Sequence, residues 1–195
     1  MSKRLAKLIT NIVNPFLVST AILVLLAFKD TTETGEAIKW ALVSLALSVI
    51  PVFILVVFLV RRKKLEGLFD NPRQQRNIIY LLACALAALG CALLWGLKAP
   101  RLLSVTFTAG LICIVVFMAL NYYWKVSLHT AFTAAAVVVV IMVYGAIAAW
   151  TVVLVPPVAW ARIKLQQHSV AQVTVGGLLA AAVVAVVFWG FGVVG

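Results

Sequence analysis

The sequence predicts an all-α integral membrane protein, a bundle of six or seven transmembrane helices with its site at one membrane face. Three observations carry this. Apolar runs of about 20 residues recur along the chain, the length a helix needs to cross a bilayer. Hydrophobic residues make up 65% and charged residues 11% of the 195 positions, and the mean hydropathy is +1.16, which excludes an ordinary soluble domain. The cations collect in short stretches between the apolar runs.

The elements follow in order. Lys3, Arg4 and Lys7 form a basic tip, and a first span covers roughly residues 8–28, with Pro15 able to kink it. This run is too long for a signal peptide and lacks a small-residue cleavage site, so it is retained. The connection from Lys29 to Glu36 is acidic, and a second span over roughly 37–60 bends at Pro51. Arg61 to Arg76 is the longest and most basic polar stretch. Spans over roughly 78–97 and 102–120 come next, joined by a short turn. Asn121 to His129 is an amphipathic connector of aromatic-belt character. Residues 130–160 are interrupted by Gly145 and by Pro156-Pro157, which predicts two short helices turning near Tyr144 to Trp150. A polar connector through Ser169 leads to a last span from Val170. This makes seven crossings, or six if one short helix is re-entrant, within a single domain over 1–195.

Charge sets the orientation. The net charge of +11 comes from 16 Lys and Arg against five acids, and Asp30, Glu33, Glu36, Glu66 and Asp70 all lie in the first 70 residues. Cations confined to short loops between spans argue against nucleic acid as a partner and for retention on the cytoplasmic side. The tip and the 61–76 loop then share the cytoplasmic face, with the acidic connection opposite. Stretches 61–76, 121–129 and 161–168 fall on that same face. Cys84, Cys91 and Cys113 sit inside apolar runs without metal-ligand spacing, so they read as small hydrophobes; no metal and no cofactor is expected. Trp40, Trp95, Trp124, Trp150 and Trp160 read as interface anchors. Gly176, Gly177 and Ala180 read as a small-residue stripe for close helix packing.

The chain has two histidines, and each opens an apolar run behind a cation: His129 after Lys125 and Ser127, His168 six residues after Arg162. Helix starts offer unpaired N–H groups and partial positive charge to phosphate, and Arg adds bidentate recognition. Two imidazoles permit one to attack phosphorus while the other shuttles the proton. Phosphoryl transfer asks for little beyond this positioning and cationic clamping.

Taken together, three stretches resemble the signature of the type 2 phosphatidic-acid phosphatase superfamily, which includes lipid phosphatases and vanadium haloperoxidases. Its last motif is Ser-Arg, five residues, His, three residues, Asp; Ala161-Arg162, His168 and Gln172 keep that spacing. Its middle motif, Pro-Ser-Gly-His, is matched by Val126-Ser127-Leu128-His129 in its Ser and His. Its first motif, Lys, six residues, Arg-Pro, is matched by Lys64 and Pro72, with Asn71 at the arginine position and Arg73 and Arg76 displaced. The resemblance covers roughly residues 61–180. It implies that His168 is the nucleophile, that His129 is the acid and base, and that Arg162, Ser127, Arg73, Arg76, Lys64 and Lys125 bind phosphate, without a metal. The implied substrate is a lipid phosphate held among membrane lipids; a homo-oligomer is compatible.

Gln172 stands where the family has Asp. Four residues after His168 it reaches the ring from the same helical face and sets the tautomer, without the charge that stabilises an imidazolium. With cations near and no acid close by, the ring is expected to stay neutral and nucleophilic near pH 7. Asp70 is the alternative orienting acid. Two rival readings are a lipid-phosphate binder or transporter without turnover, and a membrane protein with both histidines as axial haem ligands, which a Soret band identifies.

Overall fold

The structure, a computed structural model, describes residues 2–69 and 71–193, and every regular element among them is helical. Asp70, the alternative acid, lies outside the described residues. Among the described residues six helical stretches are long and apolar enough to cross a membrane: Lys3–Lys29, Thr34–Arg61, Gln74–Gly96, Arg101–Asn121, Leu128–Lys164 and Val170–Gly190. Several are broken, and the breaks have local causes.

The first stretch is two helices, α1 (Lys3–Ile12) and α2 (Pro15–Lys29), rather than one kinked rod over 8–28. Asn14 makes the break: its side-chain amide donates to Asn11 O at 2.7 Å, and its Oδ1 accepts from Leu17 N–H at 3.0 Å, capping α2. Pro15 at the first helical position gives up an N–H that has no intrahelical use there. The second stretch divides into α3 (Thr34–Leu47) and α4 (Val49–Arg61) at Ser48, three residues before the expected bend at Pro51. The proline ring lacks the donor for Leu47 C=O and crowds it, so the distortion falls one turn upstream.

α5 (Asn77–Gly96) and α6 (Arg101–Asn121) follow, then α7 (Leu128–Tyr144), a 3₁₀ segment (Gly145–Leu154), α8 (Val155–Lys164) and α9 (Val170–Gly190). The two short helices expected after residue 130 are α7 and α8. Gly145 ends α7 with φ 73°, a conformation that L side chains avoid. α8 packs back on α7, and its 10 residues rise only about 15 Å. α8 alone is therefore not a candidate span; the 3₁₀ segment and α8 together form the return leg inside the stretch Leu128–Lys164.

The chain forms two compact units. The first contains Met1–Ser19 and Lys125–Gly195, where α7 packs along α9, and α8 packs on α1, α7 and α9. The second is Thr20–Trp124. Within it α5 and α6 pair as a hairpin and α3 and α4 pack on α5. Asp30 Oδ2 accepts from Leu102 N–H at 2.7 Å and so caps α6.

The basic stretch of the second unit is tied to the ends of its helices. Lys64 N–H donates to Leu59 O, closing α4 with Lys63 at φ 56°. Asn71 closes a ring with Gly67 through hydrogen bonds of 3.0 and 2.8 Å. Asn121, buried at the end of α6, donates to Arg73 O at 3.0 Å and to Asn77 Oδ1 at 2.8 Å, while Arg73 Nη1 donates to Tyr122 O at 2.7 Å. Asn121→Leu removes both hydrogen bonds, to a half-buried and an exposed residue, so it is expected to destabilise the protein by about 1 kcal/mol. A thermal melt in detergent checks it; an unchanged midpoint means the 61–76 stretch is held by other contacts.

Candidate functional site

In the first unit the starts of α7 and α9 lie together. Ser127 N–H donates to Gln172 O at 3.2 Å, across 45 residues of sequence. The reason the chains can approach is glycine. A Cβ built at Gly176 would stand 3.0 Å from Ser127 O and 3.4 Å from Ser127 N, and one at Gly177 3.3 Å from Thr130 Cγ2. Successive contacts climb both helices in the same direction, so α7 and α9 are parallel with their N-termini side by side. Two partial positive charges therefore point toward one end of the unit.

The same end holds the sequence-predicted residues of this unit. His129 and Ser127 are buried in the first turn and cap of α7; His168 is buried immediately before α9. Arg162 is 0% exposed in the last turn of α8, and Gln167 N–H returns to Arg162 O at 3.1 Å to turn the chain toward α9. Arg162 and Lys164 also offset the negative end of the α8 dipole. Lys125 is half-buried two residues before Ser127.

Each helix start is capped by its own sequence. Ser127 Oγ accepts from Thr130 N–H at 3.4 Å and pairs with Thr130 Oγ1 at 3.1 Å. Ser169 and Gln172 form a reciprocal capping box on α9: Gln172 N–H donates to Ser169 Oγ at 3.3 Å and Ser169 N–H donates to Gln172 Oε1 at 3.2 Å. The backbone donor fixes which end of the amide is oxygen. That oxygen also lies 3.1 Å from His168 Nδ1. A carbonyl oxygen only accepts, so in the neutral ring Nδ1 carries the proton and Nε2 the lone pair. Gln172 thus both ends the helix and sets the tautomer of the histidine.

The remaining sequence-predicted cations belong to the second unit. Lys64 is exposed in the turn that closes α4. Arg76 is buried, with Nε donating to Asn71 O at 3.2 Å, and Arg73 is half-buried on Tyr122 O. One contributor was missed by sequence reasoning: Thr130 shares its hydroxyl with Ser127, and its position carries no spacing signal. Ser169 had one, because Ser-x-x-Gln before an apolar run is the capping-box pattern.

Electrostatically the first unit is one-sided. Its side chains include Lys3, Arg4, Lys7, Lys125, Arg162 and Lys164 and no carboxylate, since all five acids fall within Thr20–Trp124. Scans against known protein families, curated proteins and solved structures find no match to this chain.

Proposed function

We propose that the protein is a membrane lipid phosphatase hydrolysing a phosphomonoester or diphosphate on a lipid. The single observation that supports it most is the Ser127–Gln172 backbone bond. It joins two parallel helix starts, each carrying one of the chain's two histidines, beside the buried Arg162. The motif spacing shared with the type 2 phosphatidic-acid phosphatases points the same way.

In this reading the phosphate occupies the positive end formed by the two helix starts, with Arg162 clamping its oxygens. His168 Nε2 attacks phosphorus, forming a P–N bond as the P–O bond to the lipid alcohol breaks. His129 gives the leaving alkoxide its proton. It then takes a proton from water, which attacks phosphorus, breaks the P–N bond and releases inorganic phosphate and His168. Gln172 holds the Nδ1 proton through both steps. Lys125, in the same unit, is proposed to add to phosphate binding. A membrane-embedded chain favours a substrate whose tail stays in the bilayer, such as phosphatidate, phosphatidylglycerophosphate or a polyprenyl phosphate. The placement of cations favours a site on the cytoplasmic face of the cell membrane.

The test is phosphate release from a panel of lipid phosphates by protein in proteoliposomes. Multiple turnover on at least one member is expected. Stoichiometric binding without release would instead favour a lipid-phosphate binder, a reading that draws on Gln172, whose carbonyl is already accounted for by the helix cap.

Gln172→Glu probes the departure from the family directly. Glu keeps the capping box and adds a negative charge next to Nδ1, which favours the protonated ring. The acid limb of the phosphate-release profile is expected to move to higher pH by about one unit or more. An unmoved profile means that His168 does not titrate in the rate-limiting step.

A further inference from the structure

We infer that α1 is an interfacial helix that binds anionic lipid headgroups, rather than the outer end of a membrane span. The inference is independent of any phosphatase activity. It starts from the break at Asn14, which makes α1 a separate ten-residue helix with its own cap: Ser2 Oγ accepts from Leu5 N–H at 3.4 Å.

The helix divides lengthwise into three strips. Ala6 and Thr10, one turn apart, are buried, on a helix that packs against α8. Leu8 and Ile12, also one turn apart, are 54% and 58% exposed. Arg4, Lys7 and Asn11 follow on the next side, with Lys3 at its edge, and all four are exposed. A span has no use for the third strip. Each turn of α1 would present a cation or an amide to hydrocarbon, at a cost of a few kcal/mol per charged residue near the bilayer centre.

In the plane of the interface the same strips are all satisfied. The buried strip docks on the protein, Leu8 and Ile12 enter the acyl boundary, and the cations reach headgroup phosphates. The partner is anionic because nothing in this unit competes: Lys3, Arg4 and Lys7 share it with no carboxylate side chain. α2 alone then rises about 22 Å, a mismatch met by local thinning and by Lys29 reaching to the opposite interface.

Two measurements test this. In a Cys84, Cys91 and Cys113 to Ala background, spin labels are placed singly at Leu8→Cys and Ile12→Cys, and their depths are measured in phosphatidylglycerol/phosphatidylcholine vesicles. Equal depths are expected; a helix along the membrane normal separates them by roughly 6 Å, and that result overturns the inference. The second measurement keeps the native cysteines and compares spin-labelled phosphatidylglycerol with phosphatidylcholine at the protein surface. The wild type is expected to prefer phosphatidylglycerol, and Lys3→Gln/Arg4→Gln/Lys7→Gln to lose that preference by roughly threefold or more. A preference unaltered in the triple variant sinks the proposal even if the cysteine-free protein does not fold.

Discussion

His168→Ala is expected to lower phosphate release from the best lipid phosphate by at least about 10³-fold, with the helical content and melting temperature close to wild type. The size follows from the assigned role. Removing a nucleophile removes the covalent route, whereas removing a residue that only orients or clamps leaves the route in place. His129→Ala is expected to lose about 10²–10⁴-fold, the usual worth of a positioned acid and base. A trapped phosphoryl group on the protein should be acid-labile and alkali-stable, as a P–N bond is, and absent from His168→Ala. Substantial release by that variant rejects the nucleophile. Release lost with the fold intact, but no phosphoprotein in the wild type, rejects the covalent path.

The second large effect is expected at a residue that has no side chain. Gly176→Val places side-chain carbon where Ser127 O stands 3.0 Å from even a bare Cβ, and a backbone carbonyl cannot rotate away. α9 must move off α7, breaking the Ser127–Gln172 bond and separating the two helix starts. Overpacking of this kind costs about 1–3 kcal/mol. The larger consequence is for the site, where a displacement near 1 Å lowers turnover by about 10²-fold. Gly177→Ala is the control: it meets the Thr130 methyl at 3.3 Å, and a side chain can give a few tenths of an ångström. Phosphate release and thermal melts of both variants decide it. Equal behaviour of the two means the 3.0 Å approach does not set the spacing.

The parts legible in the sequence are those where one physical signal dominates. Hydropathy located the long helices within a few residues, because bilayer thickness sets their length. The small residues at Gly176 and Gly177 announced the close approach they make. What escaped reading depended on competition between local groups. Asn14 separates α1 from α2 by bonding both ways along the chain, and no hydropathy window registers a single amide. Pro51 was visible, but its distortion falls at Ser48, next to the Leu47 carbonyl that loses its donor. The return leg after Gly145 is divided between a 3₁₀ segment and the ten residues of α8, a change of helix type that hydropathy does not register. In the candidate site, residue types and spacing were readable for His129, Arg162, His168 and Gln172. The double use of Gln172 needed the backbone donor of Ser169 to be seen.

The first unit is assembled from the two ends of the chain: α1 packs on α8, more than 140 residues later. A ribosome adding about 5–20 residues per second takes roughly 7–30 s to cover that interval. For that time the nascent N-terminal helix is without its protein neighbour. Its buried strip, with the Thr10 hydroxyl, stays uncovered until the last third of the protein arrives. Biogenesis, rather than final stability, is then the stage at which substitutions along Ala6 and Thr10 are felt first.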